Sequence, residues 1–190
     1  MLMRENGLDA PGFKEWVFHP GMLFHATGKW WGDKGPRHRP HEGLDLLLYK
    51  DQQERIVSLD EKTRIPVMFD GVVASIIHDF LGRSVIVEHG PLDRDRGRFF
   101  TIYAHTHPLE DFHVGKAVKQ GDIVAELAHP GLSDFPMAPH LHLSLARTSR
   151  PISYDRFDWD TIGDSDALTL LDPIDLIDWA FGIVDDPDPG

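Results

Sequence analysis

Residues 137–147 read MAPHLHLSLAR and place His140 and His142 one residue apart inside a leucine ladder. Side chains alternate faces along a strand, so the run is expected to be a half-buried β-strand. Leu141, Leu143 and Leu145 then face a core, while His140, His142 and Ser144 share the opposite face. On alternation alone, the plainer account is two solvent-facing histidines on an open sheet. A sharper account needs partners for them from elsewhere in the chain.

The bulk composition narrows what those partners can be. With 190 residues, 41% of them hydrophobic and 26% charged, the chain is long enough for one globular domain with short appendages. Its formal net charge of -12 is relieved by no long lysine-arginine run, so nucleic acid and anionic membrane surfaces are not expected as partners. There is no cysteine, which excludes disulfides and thiolate ligands. A metal would have to be held by histidine, carboxylate and water. No apolar run approaches the roughly 20 residues that a membrane-spanning helix needs. The opening MLMRENGLDAPGFKEW carries charges and glycine where a secretory signal would place its apolar core. Nothing in the sequence sets an oligomeric state.

Periodicity organises the chain into three parts: an irregular N-terminal extension over 1–38, a β domain over 39–150, and a C-terminal segment over 151–190. In the extension, Trp30 and Trp31 would line a groove or, more plainly, simply pack, and Lys29, Lys34, Arg37 and Arg39 read as a solvated basic loop. From Leu44 onward, LDLLLY, RIPVMF, GVVASII, RSVIVEH, RFFTIYAH and DIVAEL are short β-rich runs separated by turn signals. Such spacing predicts a mainly β, antiparallel, sandwich-like assembly and not a βαβ fold. Between them, KDQQERIVSLDEKT is a polar excursion, and HPGLSDFPMAP is a loop marked by glycine and prolines. Near the end, LDPIDLIDWAFG has Asp172 as N-cap, Pro173 at the first position, Asp175 in the first turn and Gly182 at the stop, which predicts one short helix.

The second anchor is HEGLDL. His41 and Asp45 are four apart, a separation that puts them on one face in a strand or a helix alike. A neutral imidazole and a carboxylate are ordinary zinc ligands, and a catalytic zinc needs only three protein ligands. Taken in order, HEGLD, FDGVV, TIYAH, VKQGDIVAEL and APHLHLSL resemble the LytM/lysostaphin-type zinc metalloendopeptidases, which cleave peptide bonds in bacterial cell-wall peptidoglycan. The resemblance runs from about residue 39 to 147.

Carried over position by position, the resemblance implies one Zn2+ held by His41, Asp45 and His142, with His105 and His140 as catalytic histidines beside it. It implies the family's fold, built on a duplicated hybrid β motif. It also implies metal-assisted hydrolysis of a peptide or peptidoglycan substrate, and an extracytoplasmic place of work, with a cytoplasmic one as the alternative given the opening residues. The two catalytic histidines divide proton transfer and oxyanion stabilisation between them, in an order that spacing leaves open.

The chain departs from the family pattern in several places. An extra polar stretch occupies 50–62, Ala138 stands where glycine is common, and Ser144 stands where glutamate is common. These changes are expected around the groove. His107 shares strand alternation with His105 and competes for its assignment, which the alignment through Tyr103 gives to His105. Glu42 points away from His41 if the segment is a strand. His19, His25, His38, His78, His89, His113 and His129 read as surface or loop residues, with the His129 loop near the cleft. Two other functions remain open: a binding or regulatory module that keeps the scaffold without hydrolysis, and a histidine phosphocarrier. The phosphocarrier is suggested by VKQGDIVAEL, and a carboxylate four residues after His41 speaks against it.

Overall fold

The computed structural model describes residues 1–8, 12–90, 97–129, 137–148, 152–164, 166–177 and 179–184. Most of the loop expected over HPGLSDFPMAP, residues 130–136, lies outside the described residues. Its architecture follows from the leucine ladder. The MAPHLHLSLAR run becomes β11 (Leu141–Thr148). Along one edge β11 pairs antiparallel with β8 (Arg98–Pro108), from His142 opposite Ala104 to Thr148 opposite Arg98. Its other edge is shared by β2 (Leu44–Leu46) and β12 (Thr169–Leu171). Beyond β8 the sheet continues through β7 (Arg83–His89), β6 (Gly71–His78) and β9 (Ala117–Val118). β10 (Ile123–Leu127) joins the far end of β8 to β5 (Arg64–Pro66).

A second sheet, in the order β13-β1-β3-β4, comprises β1 (Phe13–Phe18), β3 (Leu48–Asp51), β4 (Ile56–Ser58) and β13 (Phe181–Ile183). Only the β1–β13 pair of this sheet is parallel. Among the described residues the fold is therefore mainly antiparallel β, as the turn-separated runs imply.

The two faces of the large sheet bury different groups. Leu141, Leu143, Tyr103, Val85 and Val87 form one core with Phe13, Trp16 and Phe18 of the second sheet. Each fully buried aliphatic side chain there contributes about 1.5–3 kcal/mol by leaving water. On the other face, Ile86, Phe100, Ile102 and Ala146 are covered by Phe157, Ile162 and Leu168 of the C-terminal segment. That cover corrects the open-sheet account of the histidines. His140 is 2% and His142 6% exposed, because the C-terminal segment and the N-terminal residues close over their end of the face.

Three further expectations change. The N-terminal extension is not irregular throughout, since it supplies α1 (Leu2–Glu5) and β1, whose Trp16 and Phe18 are core residues. The polar stretch 50–62 contains β4 and forms the β3–β4 hairpin of the second sheet, so it does not line the groove. Asp51 sets that hairpin's turn, its carboxylate accepting from the backbone of Gln53 and Arg55. The helix expected over 172–182 shrinks to one 3-10 turn, Pro173–Leu176. Asp172 does cap it, accepting from Ile174 N at 2.9 Å, but Phe181–Ile183 leaves to pair with β1. The short α-helix of the C-terminal segment is instead α2 (Trp159–Ile162), capped by Asp158.

Candidate metal centre

The centre is built where β2 meets β11. Their register sets Asp45 directly opposite His142. Gly43 makes the close approach possible: a Cβ there would lie 2.3 Å from the Leu143 carbonyl oxygen and 2.7 Å from Ser144 Oγ. The glycine of HEGLD is thus a packing requirement. His41 precedes β2 and is tied to the N-terminal segment by two backbone bonds, His41 N to Ala26 O and His25 N to His41 O.

Three atoms converge. His41 Nε2 lies 3.1 Å from Asp45 Oδ1 and 3.0 Å from His142 Nδ1, and His142 Nδ1 lies 2.9 Å from Asp45 Oδ1. All three residues are buried, at 1%, 2% and 6% exposure. The hydrogen-bond partners decide which lone pairs face inward. Leu23 O can only accept, so His41 Nδ1 donates to it at 3.0 Å and Nε2 carries the lone pair of the neutral ring. His142 Nε2 has Ser144 Oγ at 2.9 Å, a hydroxyl that accepts from it in the tautomer whose Nδ1 lone pair faces the centre. Two imidazole nitrogens and a carboxylate oxygen held together out of water repel one another unless a cation sits among them. A tetrahedral zinc with ligand distances near 2.0–2.1 Å separates its ligand atoms by roughly 3.3 Å, close to this triangle. The donor set fits zinc: borderline nitrogen and oxygen, no thiolate, three protein ligands.

The electrostatics follow from burial. It pushes the Asp45 carboxyl up, but the adjoining His41 and His142 rings outweigh it and hold the group well below the usual range. Burial lowers His142 to about 3 and His140 to about 4, against the opposing pull of Asp45. Both rings therefore favour the neutral form, the one able to offer a lone pair.

His140 and His105 stand beside the triangle, their ring centroids 4.8 Å apart. His140 Nδ1 donates to Ala138 O at 3.0 Å, and its Nε2 lies 3.8 Å from Asp45 Oδ1. His105 arrives by a different route from the one alternation implies. In β8, Ala104, Ile102 and Phe100 register with His142, Ser144 and Ala146 on the site face, while Tyr103 faces the other core. Strict alternation would send His105 away with Tyr103. A β-bulge between β7 and β8, with His105 at φ 62°, turns it back to the site. This left-handed backbone is uncommon for a non-glycine residue and concentrates at functional positions. His107, beyond the bulge, is exposed and lies outside the pocket.

Three participants escape sequence reasoning. Asp79, in the turn between β6 and β7, has a buried side chain, with its Oδ1 3.1 Å from His105 Nδ1 and its Oδ2 accepting from His105 N at 3.0 Å. It also accepts from Leu81 N, Gly82 N and Ser84 Oγ. Burial pushes its pKa up, yet the hydrogen bond and charge of His105 and the Ser84 bond hold it below the usual range. DFLG signals a turn in sequence but not its reach across to β8. Trp30 is the second: its Nε1 donates to Asp45 Oδ2 at 2.6 Å. Arg37, taken as part of a solvated loop, is the third; its side chain is only 15% exposed and its Nη2 lies 3.7 Å from the same oxygen.

The pocket over this centre, about 220 Å³, has Trp31, Phe80, Met137 and Trp159 among its walls. Glu42 also lines it, away from the position that strand alternation would give. Trp159 Nε1 is buried without a hydrogen-bond partner among the described residues. His89, expected at the surface, is buried at 4% exposure, bonded to Asp70 O and Thr101 Oγ1. His129 is exposed and does not line the pocket.

Comparison with solved structures finds LytU, from "Identification and structural characterization of LytU", at 20% identity over 85% of this chain and 87% of that one, with a TM-score of 0.49. The catalytic domain of the prophage-encoded M23 protein EnpA from Enterococcus faecalis aligns at 20% identity over 75% and 97%, with a TM-score of 0.41. Lysostaphin aligns at 17% identity over 75% and 49%, with a TM-score of 0.42. Comparison with curated protein sequences yields no match. The model of peptidase family M23 matches residues 40–154, more than half of the chain and a span that includes His41, Asp45, Asp79, His105, His140 and His142. The chain belongs to peptidase family M23.

Proposed function

We propose that this chain is a zinc-dependent endopeptidase that hydrolyses peptide bonds in the cross-links or stem peptides of peptidoglycan. The observation that carries the reading is the buried triangle of His41 Nε2, Asp45 Oδ1 and His142 Nδ1. These three residues would hold the metal, and zinc there would polarise a peptide carbonyl and acidify a water molecule.

The remaining steps fall to the protein's own side chains. His105 is the proton carrier in this reading. Its Nδ1–H is committed to Asp79, so Nε2 is the nitrogen open to exchange, and the Asp79 carboxylate stabilises the positive ring that results. As the water oxygen bonds to the carbonyl carbon, Nε2 takes the water's proton. As the carbon–nitrogen bond breaks, it returns that proton to the leaving amine. His140 Nδ1 has a neutral carbonyl as its hydrogen-bond partner where His105 has a carboxylate. The Nε2 lone pair of His140 accepts a hydrogen bond from a substrate N–H. Trp159, whose buried indole N–H has no partner among the described residues, offers it to a substrate oxygen. The pocket of about 220 Å³, walled in part by Trp31 and Phe80, suits small residues such as glycine or D-alanine. A peptidoglycan substrate would place the protein's work outside the cytoplasm.

A phosphocarrier role fits poorly, because the buried Asp45 carboxylate between His41 and His142 would repel a phosphoryl group. The test is digestion of purified peptidoglycan and of short glycine- or D-alanine-containing peptides with zinc-repleted protein. New free amines that vanish with His105→Ala, while zinc is retained, support the reading. A fully metallated wild type that releases none refutes it and leaves a non-hydrolysing binding module.

A further inference from the structure

The N-terminal residues bring a side chain to the centre from outside the family-matched span. Gly28 and Pro36 form a β-bridge, with Lys29 N bonded to Gly35 O and Arg37 N to Thr27 O, so residues 27–37 make a small hairpin. Its position is fixed at both ends. Arg37 donates to Gly21 O and Gly28 O. Gly21 packs so closely that a Cβ there would lie 2.7 Å from Trp30 N. The hairpin therefore presents Trp30 in one orientation, with its indole 88° edge-on to His140 at 5.1 Å and its N–H on Asp45 Oδ2 at 2.6 Å.

This arrangement splits the carboxylate. Oδ1 points at His41 and His142, while Oδ2 is occupied by Trp30, with Arg37 at 3.7 Å. We infer that Trp30 is a positioning residue that holds Asp45 to ligation through Oδ1 alone. The inference rests on the metal-centre reading above. An indole suits the task for three reasons. It is a donor with no lone pair to offer, so it cannot itself become a ligand. Its ring is rigid, with few torsions to freeze. As a neutral group it leaves the negative charge of the carboxylate available to the metal. Groups that orient a ligand from behind typically contribute about 10–100-fold in metal affinity.

The test compares wild type with Trp30→Phe and with a chain carrying benzothienylalanine at position 30, which keeps the indole's shape and replaces N–H with sulfur. Zinc affinity is read by chelator competition, and the Co2+-substituted proteins are examined by visible absorption, which reports coordination number. Both variants should bind zinc about 10–100-fold more weakly. Both Co2+ spectra should also weaken towards five-coordination as the freed carboxylate chelates through both oxygens. Wild-type affinity and spectrum in both variants would overturn the inference. So would a loss confined to Trp30→Phe, because packing and not the hydrogen bond would then be responsible. A wild type that binds no zinc would instead overturn the metal-centre reading itself.

Discussion

Replacing Asp79 by Asn tests the proposed proton carrier without touching a candidate metal ligand. The carboxylate accepts from five donors: Leu81 N, Gly82 N and His105 Nδ1 on Oδ1, and His105 N and Ser84 Oγ on Oδ2. An amide keeps only one oxygen. Its better orientation preserves the Oδ1 partners and turns the NH2 towards the backbone N–H of His105, while the Ser84 hydroxyl rotates to accept. One buried N–H is then left facing a donor, at about 1–3 kcal/mol, and charge-assisted bonds become neutral ones. A total near 3 kcal/mol lowers the melting temperature by roughly 6–12 °C in a domain of this size. The larger effect is kinetic. His105 keeps its tautomer but loses the anion that supports its protonated form, and a positioned base contributes about 10²–10⁴-fold. We expect kcat on a peptide substrate to fall within that range while the zinc content stays at the wild-type value. Calorimetry, steady-state kinetics and metal analysis on one preparation measure all three. A kcat within threefold of wild type would refute the assignment of His105, whatever the melting temperature.

Other perturbations probe the scaffold and the metal. Gly43→Ala should cost about 1–3 kcal/mol of stability through overpacking and impair zinc binding, because the new methyl collides with Leu143 O and approaches His142 Nε2 at 2.9 Å. A variant with wild-type melting temperature and zinc content would contradict that. Chelation should lower the melting temperature: free zinc at a thousandfold excess over its dissociation constant adds about 4 kcal/mol, which calorimetry detects as a shift of roughly 8–16 °C. Identical melting with and without chelator would show that no folded-state metal site exists. Burial depresses the pKa of His89, against the pull of the Asp70 backbone bond and the Glu88 charge, so the folded state prefers its neutral ring. The stability this ring contributes is complete above the unfolded value of about 6.5 and is lost as pH falls below it towards the depressed folded value. Chelator-treated His89→Gln should therefore lose less stability than equally treated wild type across that window. Equal pH dependence would sink the assignment.

What was legible in the sequence traces back to period-2 alternation. It marks Leu141 and Leu143 for the core and gathers His142 and Ser144 on one face, as β11 has them, with His140 immediately before the strand. The shared face of His41 and Asp45 was legible too, but not their 3.1 Å approach: a straight strand would set residues four apart about 13 Å from one another, and the bend at Gly43 before β2 closes that gap. What alternation hides is a bulge: His105 reaches the site only because one residue of β8 takes a positive φ. Hidden as well are contacts between segments distant in sequence. Trp30 meets Asp45 through a hairpin that nothing in GKWWGDKGP advertises, and Asp79 meets His105 from a turn 26 residues earlier. The helical turn at Pro173 is shorter than its signals suggest for a related reason. Asp172 and Pro173 are sound starting signals, but β1 offers Phe181–Ile183 a strand partner, and that pairing ends the helix after one turn. Long-range pairing overrode local preference.

The account stands on one ion gripped by two imidazoles and a carboxylate. Metal analysis combined with zinc-edge X-ray absorption on zinc-repleted protein measures it directly. One zinc per chain is expected, with two histidine nitrogens and a carboxylate oxygen at about 2.0–2.2 Å, and the signal should vanish in His142→Ala. Protein that retains no zinc after repletion, or that holds it undiminished in both Asp45→Ala and His142→Ala, would contradict the account.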